Sequence, residues 1–159
     1  MIMQFLKISW QQLEKLCKLL AKKIQNNNYS PDILVGVARG GLVPVRLLSD
    51  YLGLFNVAII KVEFYKAIGK TNHAPQITQA LNVDVKGKRV LIVDDVSDSG
   101  KSLVAAREHV LGKGAKEVRI ATLHYKLHSI LKPDYFIGKT SAWIIYPWEK
   151  EETKRELKK

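Results

Sequence analysis

The residues best suited to chemistry lie in one stretch, Val90 to Ser102, which reads VLIVDDVSDSGKS. Asp94 and Asp95 are adjacent carboxylates, a residue type that accepts hydrogen bonds from a sugar diol or holds a hard divalent cation through oxygen. Behind them Asp98, Ser99, Gly100, Lys101 and Ser102 make a small polar turn, and an apolar-periodic segment starts at Leu103. A strand that ends in a polar turn and reopens as a helix aims several backbone N–H groups and a helix dipole at one point, which suits a phosphate. Two ligand classes compete for the stretch. A nucleotide P-loop, G-x-x-x-x-G-K-[ST], accounts for Gly100, Lys101 and Ser102. Its first glycine falls at residue 95, where the chain has aspartate, and a carboxylate there would face the β- and γ-phosphates the loop must wrap. A sugar phosphate satisfies both halves, with its phosphate monoester on Asp98 to Ser102 and its hydroxyls on Asp94 and Asp95.

Other patterns add to this. Ala38-Arg39-Gly40-Gly41 follows the apolar run Ile33 to Val37. It reads either as a tight turn with one surface cation or as an anion nest of backbone N–H groups backed by a guanidinium. Lys126 follows the apolar run Val118 to His124. It is either a solvated strand-end charge or a donor at the carboxyl edge where α/β proteins bind ligands. Ala142 to Trp148, AWIIYPW, is aromatic-rich and on its own reads as a core edge.

These groups need strands that end together. Val90 to Val93 is short, apolar and β-branched, as a strand buried on both faces must be. Ile33 to Val37, Val57 to Phe64, Val118 to His124 and Tyr135 to Ile137 read the same way, and Val83 to Lys86 reads as a short strand. Ser9 and Gln12 form a capping box. After it, Leu13, Leu16, Cys17, Leu20, Ala21 and Ile24 recur at helical spacing, predicting a helix over Trp10 to Asn26 with Cys17 packed in the core. Pro44 in a first turn and Gly53 as C-cap bracket a second helix ending at Leu52. Leu103 to Gly112 predicts a third, and Glu149 to Lys159, with Glu151 and Arg155 at i,i+4 spacing, a solvated, fraying fourth. Residues 66–82 have little periodicity and read as a lid or an insertion. Alternating strands and helices imply an α/β fold, a doubly wound, mainly parallel sheet with a small C-terminal hood segment.

The 159 residues are 47% hydrophobic, which allows a full core, and the length predicts a single domain over residues 1–159. One cysteine excludes an internal disulfide and a zinc site of several thiolates. There are 26 Lys plus Arg against 15 Asp plus Glu, a net charge of +11. That balance suits polyanionic ligands, but no basic cluster with interleaved aromatics marks a nucleic-acid surface. No signal pattern and no membrane-length run is visible, so a cytoplasmic protein with no membrane partner is expected.

VLIVDDVSDSGKS resembles the 5-phosphoribosyl-1-pyrophosphate (PRPP) loop of type I phosphoribosyltransferases, and W-I-x-x-P-W at Trp143 to Trp148 resembles the end of xanthine-guanine phosphoribosyltransferases. The resemblance implies that Arg39 and Gly40 meet pyrophosphate, in a loop that often holds a strained or cis peptide. It implies that Asp94 and Asp95 take the ribose hydroxyls, that Asp98, Ser99, Gly100, Lys101 and Ser102 take the 5-phosphate, and that Asp95 is the protein contact for Mg²⁺. It places Lys126 on the purine O6, Trp143 against the purine face and the backbone of Ile144 at the base edge. Asp98 becomes the base, or the partner of N7, in transfer of the phosphoribosyl group to a 6-oxopurine: hypoxanthine, guanine or xanthine. The hood is expected over about 126–148 and a flexible closing loop over about 66–82, with Lys66 and Lys70 as candidate pyrophosphate contacts. The usual family arrangement is a homodimer. Transfer to adenine or a pyrimidine, a PRPP-sensing regulator and an inactive interaction subunit are the alternatives.

Overall fold

The computed structural model of the chain describes residues 4–66 and 73–158. In chain order its elements are strand β1 (Phe5–Lys7), helix α1 (Trp10–Asn26), β2 (Ile33–Ala38), α2 (Leu42–Leu52), β3 (Val57–Lys66), β4 (His73–Gln79), β5 (Arg89–Ser97), α3 (Lys101–Gly112), β6 (Glu117–Tyr125), β7 (Tyr135–Lys139), β8 (Trp143–Ile145) and α4 (Lys150–Glu156). Six strands form the main sheet in the order β4-β3-β2-β5-β6-β7. All neighbours in it are parallel except the β3–β4 pair. The fold is the expected doubly wound α/β sheet.

Side chains on a strand alternate between faces, and the core follows that period. Leu34, Leu91, Val93, Ala121 and Leu123 pack with Leu13, Cys17, Leu20 and Ile24 of α1 and with Val45 and Leu48 of α2. Ile33, Val35, Val37, Val90, Ile92 and Ile120 pack with Leu103, Ala106 and Val110 of α3. Val90 to Val93 is therefore buried on both faces because two helical layers sandwich it. Cys17 is fully buried, and burial pushes its thiol up to about 12.

The helix ends follow their sequence signals. Ser9 Oγ accepts from Gln12 N at 3.1 Å and Gln12 Oε1 accepts from Ser9 N at 2.8 Å, closing the capping box. Gly53 ends α2 with φ 65°, the left-handed conformation that favours glycine.

Three expectations change. Residues 73–79 are not irregular: β4 pairs antiparallel with β3 at the sheet edge. Pro75 is tolerated there because an edge position needs no donated ladder bond. Half-buried Pro75 and Ile77 alternate with exposed neighbours, too short a pattern to stand out in sequence. Residues 67–72 lie outside the described residues. Val83 to Lys86 is not a strand; the buried Leu81 and Val85 pack as loop residues on the α3 side of the core. The hood is smaller than 126–148, because β7 belongs to the main sheet. What stands apart is β8, paired in parallel with the unanticipated β1. Ile8 N donates to Ile145 O at 3.0 Å and Trp143 N to Gln4 O at 2.8 Å. Among the described residues no helix is long and apolar enough to cross a membrane.

Candidate active site

The chain runs outward from β2 through β3 and β4, then returns to lay β5 on the other side of β2. Crevices at such a reversal, beyond the carboxyl ends of the strands, are where open α/β sheets bind ligands. Two segments meet there, the loop Arg39-Gly40-Gly41 after β2 and Asp94-Asp95 near the end of β5. They touch so closely that side chains are excluded. A Cβ on Gly40 would fall 2.5 Å from Asp95 Oδ2, and one on Gly41 would strike the carbonyl oxygens of Val93 and Val37. The Ala38–Arg39 peptide bond is cis.

Asp95 is buried and Asp94 half-buried. Asp95 N donates to Asp94 Oδ1 at 2.9 Å, and Val96 N to Asp95 Oδ1 at 2.7 Å. No lysine or arginine forms a salt bridge with either among the described residues. Burial, and then the repulsion of Asp95, push Asp94 well above the usual carboxylate range. Burial and then the charge of Glu149 push Asp95 up to about 7. Glu149 is itself raised, mainly by burial.

The turn beyond β5 is left open. Gly100 has φ 81° and offers no side-chain cap to α3, so apart from Lys101 N the first amides of that helix have no side-chain partner among the described residues. Ser99 Oγ comes nearest, 3.4 Å from Lys101 N. The turn is fastened from behind by the chain that follows β6. Lys126 N donates to Ser97 O at 3.1 Å and Ile130 N to Ser99 O at 3.0 Å. Ser97 Oγ lies 2.8 Å from Ser129 Oγ and donates to Leu131 O at 2.8 Å. A Cβ on Gly100 would meet Ser129 Oγ at 2.5 Å.

Two cavities flank the acidic pair. One, of about 450 Å³, is lined by Arg39, Gly40, Asp94, Asp95 and Ser102, with Glu149 and Glu152 opposite. The other, of about 180 Å³, is lined by Asp95, Asp98, Lys126, Trp143, Ile144 and Tyr146, and again Glu149. Lys126 is mostly buried, with its Nζ 3.7 Å from Asp98 Oδ1 and 5.8 Å from the centre of the Trp143 ring. Trp143 is half exposed, at 46%. A mostly buried ammonium and a half-exposed indole on one small cavity can bind a flat, carbonyl-bearing ligand by donation and stacking.

The chain matches the family described as phosphoribosyl transferase domain over residues 9–152. It belongs to that family. It is 30% identical to xanthine phosphoribosyltransferase 1 of Saccharomyces cerevisiae, over 91% of this chain and 90% of that one. A purine phosphoribosyltransferase from Pyrococcus horikoshii superposes with a TM-score of 0.83 at 42% identity, covering 91% of this chain and 93% of that one. A xanthine-guanine-hypoxanthine phosphoribosyltransferase from Helicobacter pylori gives 0.80 at 25% identity, covering 96% and 99%. These are transferases of purine bases, and the family resemblance read from the sequence is established.

Within this family frame, the structure brings Arg39, Gly40, Asp94, Asp95 and Ser102 to one cavity and Asp98, Lys126, Trp143 and Ile144 to the other. Asp95 touches both. Ser99 and Lys101 are exposed and line neither. Lys70 and the side chain of Lys66 lie outside the described residues. Four neighbours of the site went unread in the sequence. Glu149 lies between the cavities, and Glu152 accepts from Arg39 Nη2 through both carboxylate oxygens at 2.8 Å. The segment from Glu149 is therefore not merely a solvated helix: Thr153 is buried, and Glu151 pairs with Lys154 rather than Arg155. Its alternating charges hid the one face that docks. Tyr146, stacked on Trp148 at 4.9 Å, donates to Asp95 O at 3.0 Å and meets His124 Nδ1 at 2.8 Å. His128 Nε2 lies 3.0 Å from Asp98 Oδ1.

Proposed function

We propose that the protein transfers the 5-phosphoribosyl group from PRPP to a 6-oxopurine, releasing pyrophosphate. The observation that carries this reading is the pair of cavities sharing Asp95. One offers an anion loop and carboxylates to a pyrophosphate and a ribose; the other offers a donor and an aromatic face to a base. C1 of the ribose then lies at their common wall.

The residues divide the work. The uncapped turn Asp98 to Ser102 receives the 5-phosphate, through amide N–H groups and the hydroxyls of Ser99 and Ser102. Asp94 and Asp95 accept from the ribose hydroxyls. Arg39 and the backbone at Gly40 meet the pyrophosphate once Arg39 leaves Glu152. Lys126 donates to O6, which favours an oxopurine over the amino group of adenine. Trp143 stacks on the base, worth about 1–3 kcal/mol, and the Ile144 backbone faces its edge. As N9 of the purine bonds to C1 and the C1–O bond to pyrophosphate breaks, the proton on N7 moves to the Asp98 carboxylate.

The acidic pair also fits Mg²⁺. Its donors are carboxylate oxygens only, and both are pushed up by burial and nearby negative charge, a state that a hard divalent cation relieves. Among the described residues no cluster of three metal-ligating side chains exists, so the protein would supply few ligands and leave the rest to water and pyrophosphate, as Mg²⁺ prefers. Asp95 would hold it, directly or through water. When bound, Mg²⁺ neutralises the leaving pyrophosphate.

The test is pyrophosphate release with PRPP, Mg²⁺ and, in turn, hypoxanthine, guanine, xanthine, adenine and uracil. Release with at least one oxopurine and none with adenine or uracil is expected. Release with adenine or uracil alone overturns the assignment of Lys126.

A further inference from the structure

Asp98, the proposed acceptor of the purine proton, stands on an exposed turn, with 55% of its side chain open to solvent. An aspartate so placed is free to rotate, and a proton acceptor must be held in line with the atom it serves. Two donors converge on one of its oxygens. Lys126 Nζ is 3.7 Å from Oδ1 and His128 Nε2 is 3.0 Å from the same atom. A carboxylate only accepts, so the Nε2 of His128 must carry the hydrogen. Oδ2 has no hydrogen-bond partner among the described residues and stays available to a ligand in the adjoining cavity.

The main chain that carries the imidazole is held in place, although the ring itself is exposed. Ser129 N donates to Lys126 O at 2.9 Å, turning the chain around His128, and Ile130 N donates to Ser99 O at 3.0 Å, one residue past Asp98. Ser129 Oγ lies 2.8 Å from Ser97 Oγ, one residue before it. The segment carrying the histidine is thus bonded to the turn on both sides of Asp98. His128 itself is 62% exposed, and Asp98 is its hydrogen-bond partner among the described residues. It lies outside the core, and an exposed contact of this kind contributes little to stability.

We infer that His128 is a positioning residue: it clamps Oδ1 of Asp98 so that Oδ2 faces the purine proton. This rests on the proposed role of Asp98. Lys126 cannot serve alone, because its ammonium is to be shared with the base carbonyl when substrate is present.

The experiment compares kcat and the KM for PRPP in His128→Ala, His128→Gln and His128→Asn, each also in the Asp98→Asn background. A hydrogen bond to a charged acceptor is at stake, so His128→Ala is expected to lower kcat roughly tenfold, with KM for PRPP and the thermal midpoint unchanged. Gln places an amide N–H where Nε2 stands and should restore most of kcat; the shorter Asn should not. In the Asp98→Asn background the alanine change should cost nothing further. Unchanged kcat in His128→Ala, a loss confined to the KM for PRPP, or full additivity with Asp98→Asn overturns the inference. If Asp98→Asn itself is fully active, the reading of Asp98 fails and this inference fails with it. If Asp98→Asn is impaired and His128→Ala is not, only the clamp is wrong.

Discussion

Asp32 and Asp95 are the same residue type at opposite ends of one mainly parallel sheet, and their surroundings push them in opposite directions. Asp32 precedes β2 at the amino edge. It accepts from Arg89 N at 2.8 Å, Nε at 3.3 Å and Nη2 at 3.0 Å, and the Arg89 guanidinium and amide hold its carboxyl down to about 2. Nearby, Arg119 is satisfied by Glu117, Asn27 and Tyr135. At the carboxyl edge Asp94, Asp95 and Glu149 have no cation bonded to them among the described residues, and burial raises all three. The amino edge answers its own charges. At the carboxyl edge these three carboxylates go unanswered within the fold, as the proposed binding of a ligand with hydroxyls or a cation requires.

The two helix N-termini repeat the contrast. α1 closes its own amides through the Ser9–Gln12 box, while α3 starts at Gly100 with no cap. A self-satisfied terminus contributes stability; an open one is a place for an anion.

The sharpest way to break this contrast is at the open edge. Asp98→Asn should lower kcat on the order of 10² to 10⁴-fold while the KM for PRPP moves little, since a positioned acid or base contributes that much. Steady-state kinetics in both substrates measure it, and unchanged turnover removes Asp98 from the chemistry.

Asp95 offers a test through stability. Its folded-state pKa is raised from 3.8 to about 7, so the folded protein favours the protonated form. The stability this gives is present below pH 3.8 and is lost as pH rises through about 7. Asp95→Asn is neutral at every pH and keeps an oxygen for Val96 N. Without ligand or metal it should be more stable than the parent at pH 8, on the order of 2 kcal/mol, with the difference fading toward pH 4. Denaturant titration in EDTA measures this, and the same variant should lose turnover. A destabilised Asp95→Asn at pH 8 would mean the carboxylate is satisfied within the fold.

Gly40→Ala drives a methyl into the Asp95 carboxyl, 2.5 Å away. An overpacked contact costs about 1–3 kcal/mol, expected here as weaker PRPP binding by titration calorimetry, with the fold retained by circular dichroism. The smallest effect belongs to the closed edge. Asp32→Asn should leave kcat unchanged and cost under about 1 kcal/mol, because its side chain is 41% exposed and screened. The parent's advantage is present above pH 3.8 and is lost as pH falls through about 2. A kinetic defect in Asp32→Asn would erase the distinction between the edges.

What could be read from the chain was local. Val90 to Val93 carries its burial in its composition, α1 its cap and its stripe, and Gly53 its left-handed turn. The turn at Asp98 to Ser102 was visible because its residues are contiguous. What was hidden was set by distant partners. β1 exists because β8 pairs with it, and nothing near Phe5 announces that. β4 was masked by Pro75, which only an edge tolerates. Glu152 meets Arg39 across 113 positions and His128 meets Asp98 across 30. No spacing rule links such pairs until the sheet has brought the strand ends together.

The most direct measurement is a crystal structure of the protein with PRPP and Mg²⁺. The ribose hydroxyls are expected on Asp94 and Asp95 and the 5-phosphate on the amides of residues 98–102, with pyrophosphate beside Arg39 and Gly40. A sugar phosphate bound away from β5 and α3, with the acidic pair still bare, would contradict the assignment.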